Sequence, residues 1–113
     1  MADSPVFARC DELVLWVLRT TVRFPRPYRS SIGRTTQEAV FRLQRSLIAA
    51  ARRRDNRSAL QQADEALHEA RVLLRQCLSL ELCTPQQHEH SARLVDEIGT
   101  LIGGWRKRQP ASA

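Results

Sequence analysis

The sequence predicts an all-α protein folded as an antiparallel four-helix bundle, and three observations lead to that class. Apolar residues recur three and four positions apart through four long stretches, which is the spacing of one face of an α-helix. Proline or turn residues separate the stretches, and no stretch alternates apolar and polar residues as a half-buried strand does. Short connections favour antiparallel neighbours. With 113 residues, 42% of them hydrophobic, we expect one bundle domain over residues 1–108 and a flexible tail over residues 109–113.

The first predicted helix has Pro5 at its first position, where the missing N–H costs no hydrogen bond, and Asp3 or Ser4 as its cap. It should run to about Val22. Its apolar residues cover most of the circumference: Val6, Phe7, Cys10, Leu13, Val14, Leu15, Trp16, Val17 and Leu18. A helix that is apolar on more than one side needs more than one buried side. We therefore expect its second apolar side to pack against another subunit.

The second predicted helix follows a proline-containing break at Phe24-Pro25-Arg26-Pro27-Tyr28. It begins at Gly33, or as early as Ser30, and ends before a turn at Asp55 or Asn56. Its predicted core stripe consists of Val40, Leu43, Leu47, Ile48 and Ala51.

A second, basic track runs along the same helix, formed by Arg34, Arg42, Arg45, Arg52, Arg53 and Arg54. Glu38 precedes Arg42 by four residues, the favourable order for an ion pair, and offsets part of this charge. The surplus has two interpretations, which are a solvated basic face and a phosphate-binding face.

The third helix, capped by Asp55 or Asn56, carries the most regular apolar seam in the chain: Leu60, Ala63, Leu67, Ala70, Leu74 and Cys77. The fourth opens at Thr84-Pro85 and is lined by Leu94, Val95, Ile98, Leu101, Ile102 and Trp105. Gly99 and Gly103, four positions apart, would let a neighbouring helix approach closely. Alternatively, Gly103-Gly104 marks a frayed helix end.

The net charge of +6 is unevenly distributed. Residues 1–57 carry a net +7, whereas residues 58–113 carry a net −1. Arginine supplies 17 of the 18 basic residues. This excess has two possible origins. A GC-rich genome would enrich arginine, and so would selection for phosphate binding, because guanidinium groups bind phosphates in a bidentate manner. The asymmetry favours an acidic partner. Arg71 and Arg75, one turn apart on the third helix, either bind that partner or pair with Asp96, Glu97 or another acid.

The sequence contains no set of residues that indicates catalysis, so we expect neither enzymatic activity nor a cofactor or metal. Cys77, Cys83, His88 and His90 would supply zinc ligands, but no chelating pair occurs within one turn. No signal-peptide pattern opens the chain, and the longest apolar run, residues 13–18, is too short to span a membrane. Three cysteines without framework spacing favour a reducing compartment. We expect a soluble cytoplasmic protein.

Several motifs in this order resemble one family over residues 7–107: Leu15-Trp16, Phe24-Pro25-Arg26 with Arg29 and Ile32-Gly33, Ala70-Arg71-Val72-Leu73-Leu74-Arg75, Thr84-Pro85-Gln86, and Glu97-Ile98-Gly99 with Gly103-Gly104-Trp105. The family is the four-helix-bundle group of the accessory variability determinant (Avd) proteins of diversity-generating retroelements. The related bundles encoded in intervening sequences of ribosomal RNA genes belong to the same group.

The resemblance implies a ring-like homopentamer with a basic surface and no catalytic activity. It implies binding to the reverse transcriptase of the retroelement and, without sequence preference, to RNA and DNA during mutagenic retrohoming. The family's paired arginines match Arg71 and Arg75, and we expect Arg26, Arg29 and Arg34 to form a charged flank beside them. Thr100 and Pro27 depart from the family pattern, which more often has a basic residue and a small polar residue there.

The alternative function is that of the ribosomal-RNA-intervening type, a structural or RNA-associated oligomer without a polymerase partner. A reverse-transcriptase gene beside this gene would favour the accessory subunit. A position inside a ribosomal RNA gene would favour the alternative.

Overall fold

Four long helices build the molecule, and a computed structural model describes residues 5–108 of the chain. They are α1 (Pro5–Thr21), α2 (Arg34–Arg52), α3 (Arg57–Ser79) and α4 (Pro85–Lys107), and no strand occurs among the described residues. Each helix packs against two neighbours in the cyclic order α1, α2, α3, α4. The predicted caps Asp3 and Ser4 and the predicted tail at residues 109–113 lie outside the described residues. The predicted four-helix bundle is confirmed.

The bundle is elongated, with extents of 50 × 23 × 21 Å, and its two ends differ. We call one the lead-in end, where α1 and α3 finish and α2 and α4 begin. We call the other the arginine-turn end, where α2 and α4 finish and α3 begins. None of the described helices combines the length and apolarity needed to cross a lipid bilayer.

The core follows the predicted seams with one correction on α2. All six predicted seam residues of α3 are buried. On α2, Val40, Leu43 and Leu47 are fully buried, but Ile48 is 46% exposed and Ala51 is exposed as well. The buried stripe of α2 continues instead through Ser46 and Ala50. At 100° per residue, positions 48 and 51 turn away from that stripe, so their prediction as core residues is wrong.

The predicted break between α1 and α2 is largely helical. A helical turn, Arg26–Tyr28, runs into a π-helix, Arg29–Gly33, which continues into α2; residues 26–33 are named the lead-in segment here. Pro25 occupies the N-cap position and Pro27 the first turn, where a missing N–H removes no hydrogen bond. The prolines therefore start a helix rather than interrupt one, so the predicted break is wrong. The α-helix α2 itself begins at Arg34, directly after the predicted Gly33.

Gly33 fixes how the lead-in segment crosses the end of α1. A Cβ at Gly33 would lie 3.1 Å from the carbonyl oxygen of Tyr28 and 3.4 Å from Cδ2 of Phe24. Phe24 is itself buried in a small second core with Cys77 and Cys83. A side chain at this position would require the neighbouring atoms to shift by a few tenths of an ångström, so glycine suits this close approach.

The helix ends confirm some predicted caps and correct others. Thr84 and Gln87 form a reciprocal capping box at the start of α4, with hydrogen bonds of 3.1 Å and 2.9 Å. Asn56 holds the N-cap position of α3, but its side-chain amide donates to the carbonyl oxygen of Ala50 at 3.2 Å and so closes the end of α2.

The glycines of α4 are helical, since the helix runs on to Lys107, so the frayed-end interpretation is wrong. Gly99 provides the close approach, with a notional Cβ 3.5 Å from Cδ2 of Leu67. Within residues 5–108, apart from the adjacent residues and the local backbone of α4, no heavy atom lies within 4 Å of a notional Cβ at Gly103.

The outer side of α1 is apolar, as the sequence predicts. Leu15 is 40% exposed, Val22 just beyond the helix is 62% exposed, and Leu18 is half-buried. Their spacing of three and four residues places them on one stripe, and the described residues of this chain leave it open.

Candidate functional site

All ten arginines that the sequence predicts as binding residues are exposed, and the structure separates them into groups rather than one face. Arg26, Arg29 and Arg34 lie at the lead-in end, and residues 52–54 lie at the opposite end of a 50 Å bundle. Arg45 lies between the ends. Arg71 and Arg75 lie on α3, in a groove beside α4.

Ion pairs between helices neutralise two of the predicted residues. Arg42 pairs with Glu69 of α3, so the expected pair with Glu38 does not form. Arg71 pairs with Asp96 of α4 at 2.6 Å. Both pairs are at the surface, where such contacts contribute about 0–1 kcal/mol.

The predicted role of Asp96 and Glu97 is confirmed. Asp96 accepts from Arg71, and Glu97 lies 3.8 Å from Arg9 of α1. These acids therefore act as cross-helix partners.

The lead-in end concentrates basic side chains without an acidic partner. Within residues 5–108, no carboxylate oxygen lies within 4.0 Å of the guanidinium groups of Arg19, Arg23, Arg26, Arg29 or Arg34. Tyr28, 38% exposed, stands among them in the sequence. Their charge is consequently available to an acidic ligand.

The arginine-turn end is the second such concentration. In the described part of the chain, Arg52, Arg53, Arg54, Lys107 and Arg108 also have no carboxylate within 4.0 Å. The neighbouring Asp55 is held by Arg57 at 3.2 Å, and the hydrogen bond from that side chain lowers the pKa of Asp55. The turn therefore keeps one internal pair and leaves its other cations free.

The groove between α3 and α4 is small, about 180 Å³, and has an apolar floor. Leu74 and Val95 form the floor, while Arg71, Arg75 and His88 line the sides. Arg71 is already bound to Asp96. Among the described residues Arg75 has no acidic partner. Its guanidinium group is therefore available to bind an acidic ligand in this groove.

The thiols are buried and hard to ionise. Burial raises the pKa of Cys10 to about 12 and that of Cys77 to about 11, and it raises the pKa of Cys83 as well. Thiolates are the nucleophilic and metal-binding form of cysteine. Over residues 5–108, no three His, Cys, Asp or Glu side chains come together as a metal site requires, so Cys77, Cys83, His88 and His90 do not converge.

Sequence reasoning did not single out Tyr28, Arg19 or Arg23, which the structure places at the lead-in end with the predicted Arg26, Arg29 and Arg34. Predicting a broken chain at residues 24–28 concealed that Tyr28 belongs to a helical turn. The available signal was an aromatic residue placed directly between basic residues in the run Arg26-Pro27-Tyr28-Arg29.

Comparison with known proteins agrees with the architecture. A family model described as bAvd-like matches residues 6–109, which is nearly the whole chain. A comparison with curated proteins gives no match. Because the family match covers the entire bundle, the chain belongs to the bAvd-like family.

Proposed function

We propose that this protein is a non-catalytic accessory subunit of a diversity-generating retroelement. In the cytoplasm, it binds the retroelement's reverse transcriptase and, without sequence preference, RNA and DNA during mutagenic retrohoming. Membership of the bAvd-like family supports the class. The observation that carries the binding function is the pair of unneutralised basic ends, one around Arg26, Arg29 and Arg34 and one around residues 52–54.

Phosphate binding by such surfaces is insensitive to sequence. Arginine side chains contact phosphate oxygens that are the same on every nucleotide. No described element offers a set of polar side chains in the arrangement of a known base-reading motif. Each phosphate contact should contribute a slope of about −0.7 to −0.9 to log K against log salt.

The reverse transcriptase is proposed to dock on the groove between α3 and α4. Arg75 offers a free guanidinium to a carboxylate of the partner, while Leu74 and Val95 provide an apolar floor. Arg71 contributes in competition with Asp96, which already accepts its hydrogen bond. A partner segment with an acidic and an apolar side chain fits this combination.

The assembly is proposed to be a ring-like homopentamer. The supporting observation is the open apolar stripe of Leu15, Leu18 and Val22 on α1. The number five comes from the family resemblance. Sedimentation or light scattering that shows a stable monomer at micromolar concentration would contradict the oligomer, and a different number of subunits would contradict only the pentamer.

Co-purification with the reverse transcriptase of a diversity-generating retroelement tests the docking proposal. Arg71→Ala with Arg75→Ala should keep the fold and lose the enzyme, because the surface pair contributes about 0–1 kcal/mol to stability. The matched control is Arg57→Ala with Arg93→Ala, which removes two exposed, ion-paired arginines outside the groove. A folded groove variant that still retains the polymerase in full would exclude the groove.

The wild-type protein also separates the two functions left open by the sequence. Salt-sensitive binding to unrelated RNA and DNA sequences together with polymerase capture supports the accessory subunit. Nucleic-acid binding without polymerase capture would instead indicate the ribosomal-RNA-intervening type. A wild-type protein that binds neither would contradict the proposed function.

A further inference from the structure

Tyr28 is the only tyrosine of the chain, and it lies at the lead-in end, one of the two basic ends of the bundle. The residue is 38% exposed, and its two nearest basic neighbours in the sequence, Arg26 and Arg29, are exposed and have no ion pair within the described chain. Its hydroxyl makes no hydrogen bond to any described residue. An aromatic surface is therefore accessible amid uncompensated positive charge.

The backbone that carries Tyr28 is held on both sides. Its N–H donates to the carbonyl oxygen of Pro25 at 2.9 Å, and the N–H of the next residue, Arg29, donates to the same oxygen at 2.9 Å. Ser31 donates to the carbonyl oxygen of Pro27 at 2.6 Å. A π-helical segment of this kind is uncommon and is often found at functional sites. The ring is thus presented on an ordered element.

Arginines and an exposed ring together suit one class of ligand. Guanidinium groups bind phosphates of any nucleic acid, whereas an aromatic ring stacks on a base only when that base has an open face. In a duplex, neighbouring base pairs cover those faces. Single-stranded RNA or DNA offers phosphates and open bases at once.

The arginine-turn end lacks this combination. Trp105 of α4, the aromatic residue nearest in sequence to its basic groups, is only 5% exposed and packs edge-on against Phe7. Phe7 itself is half-buried, so the aromatic residues described at that end expose less surface to a base than Tyr28 does.

We propose that the lead-in end is a single-strand-binding site in which Tyr28 stacks on an unpaired base while Arg26, Arg29 and Arg34 hold the adjacent phosphates. This site deepens the proposed nucleic-acid function and rests on it. It makes the two ends unequal, because the lead-in end discriminates single strands from duplexes and the arginine-turn end does not.

Fluorescence anisotropy with a labelled 20-nucleotide oligo(dT) and a duplex of equal length tests the proposal. Tyr28→Ala should weaken oligo(dT) binding by roughly 5- to 150-fold, the range that loss of one stacked base gives. Duplex affinity should change less than about twofold. Tyr28→Phe keeps the ring and should bind both ligands as the wild type does.

Tyr28→Leu provides the control for folding. Leucine keeps most of the apolar contacts that the tyrosine side chain makes with the protein, but it has no flat ring on which a base can stack. It should melt as the wild type does and bind oligo(dT) as weakly as Tyr28→Ala. Replacing the tyrosine by 3-fluorotyrosine gives a single ¹⁹F resonance, since the chain has one tyrosine. That resonance should shift with oligo(dT) and stay in place with duplex.

Three outcomes would overturn the inference while leaving the proposed function intact. They are a folded Tyr28→Leu variant with wild-type oligo(dT) affinity, an equal loss for duplex and single strand, and a loss of polymerase capture alone. A loss of polymerase capture alone would indicate that Tyr28 contacts the reverse transcriptase and not a nucleic acid. Absence of any nucleic-acid binding by the wild type would instead contradict the proposed function itself.

Discussion

The two ends of the bundle carry similar charge on different supports. At the lead-in end, the free arginines lie on or next to a continuous helical segment that is anchored by buried Phe24 and by Gly33. At the arginine-turn end, Arg53 lies in extended backbone beyond α2, in a connection of four residues before α3. Similar charge at the two ends therefore comes with different backbone support. The lead-in end also adds the exposed ring of Tyr28.

The largest expected effect comes from reversing charge at one end at a time. Arg26, Arg29 and Arg34 changed together to Glu should weaken oligo(dT) binding by about 100-fold at 0.1 M salt, because three phosphate contacts account for a salt slope of about −2. Changing Arg52, Arg53 and Arg54 to Glu should reduce duplex and single-strand affinity by similar factors. Titrations at several salt concentrations measure both slopes.

Arg9→Glu with Arg93→Glu is the control for these triple variants, since both arginines already pair with acids. Its effect on the salt slope should be smaller per charge. If the two triple variants proved indistinguishable on single-stranded and duplex ligands, the functional difference between the ends would be refuted.

Much of the bundle is predictable because helix periodicity is local. The seam of α3 and the cap at Thr84 depend on residues within a few turns, and both are confirmed. The helical lead-in segment before α2 could not be predicted in the same way. Whether Pro27 breaks or begins a helix depends on Phe24 finding a buried place against Cys77, which is a long-range contact.

The candidate site is predictable in composition and not in geometry. Sequence identifies the arginines, but their neutralisation depends on partners far along the chain. Arg42 finds Glu69, 27 residues away, and Arg71 finds Asp96, 25 residues away. The 19 residues of α2 also extend over about 28 Å, so basic residues at its start and at its end lie on two separate surfaces.

Glycine substitutions at the two ends should change the free energy of unfolding differently, and this effect should be smaller than that of the charge reversals. Gly33→Ala places a methyl group 3.1 Å from a backbone carbonyl, and overpacking of this kind costs about 1–3 kcal/mol. Gly103→Ala is the matched control on α4, where the methyl group meets nothing within 4 Å and should stabilise the helix by up to about 1 kcal/mol.

Thermal melting measures both variants, with a shift of about 4–8 °C per kcal/mol in a domain approaching this size. Gly33→Ala should also weaken oligo(dT) binding more than duplex binding, because the displaced carbonyl belongs to Tyr28. A Gly33→Ala protein as stable as the wild type would show that the lead-in segment is less constrained than its contacts indicate.

The smallest expected effect concerns alkaline pH and the thiols beneath each end. Cys77 lies under the lead-in end with a pKa of about 11, and Cys10 lies in the half of α1 nearer the arginine-turn end with a pKa of about 12. Both values exceed the ordinary value of 9.0 because burial disfavours the thiolate. The stability that comes from keeping these thiols neutral is fully present below pH 9, and it is lost as pH rises from 9 towards the folded-state values of about 11 and about 12. Both ends should therefore lose stability over the same alkaline range. Thermal melting at stepwise higher pH should show this loss, and Cys77→Ala and Cys10→Ala should each make the melting temperature less dependent on pH above 9. Variants whose melting temperature falls with pH as steeply as that of the wild type would show that these thiols do not stay neutral in the folded protein.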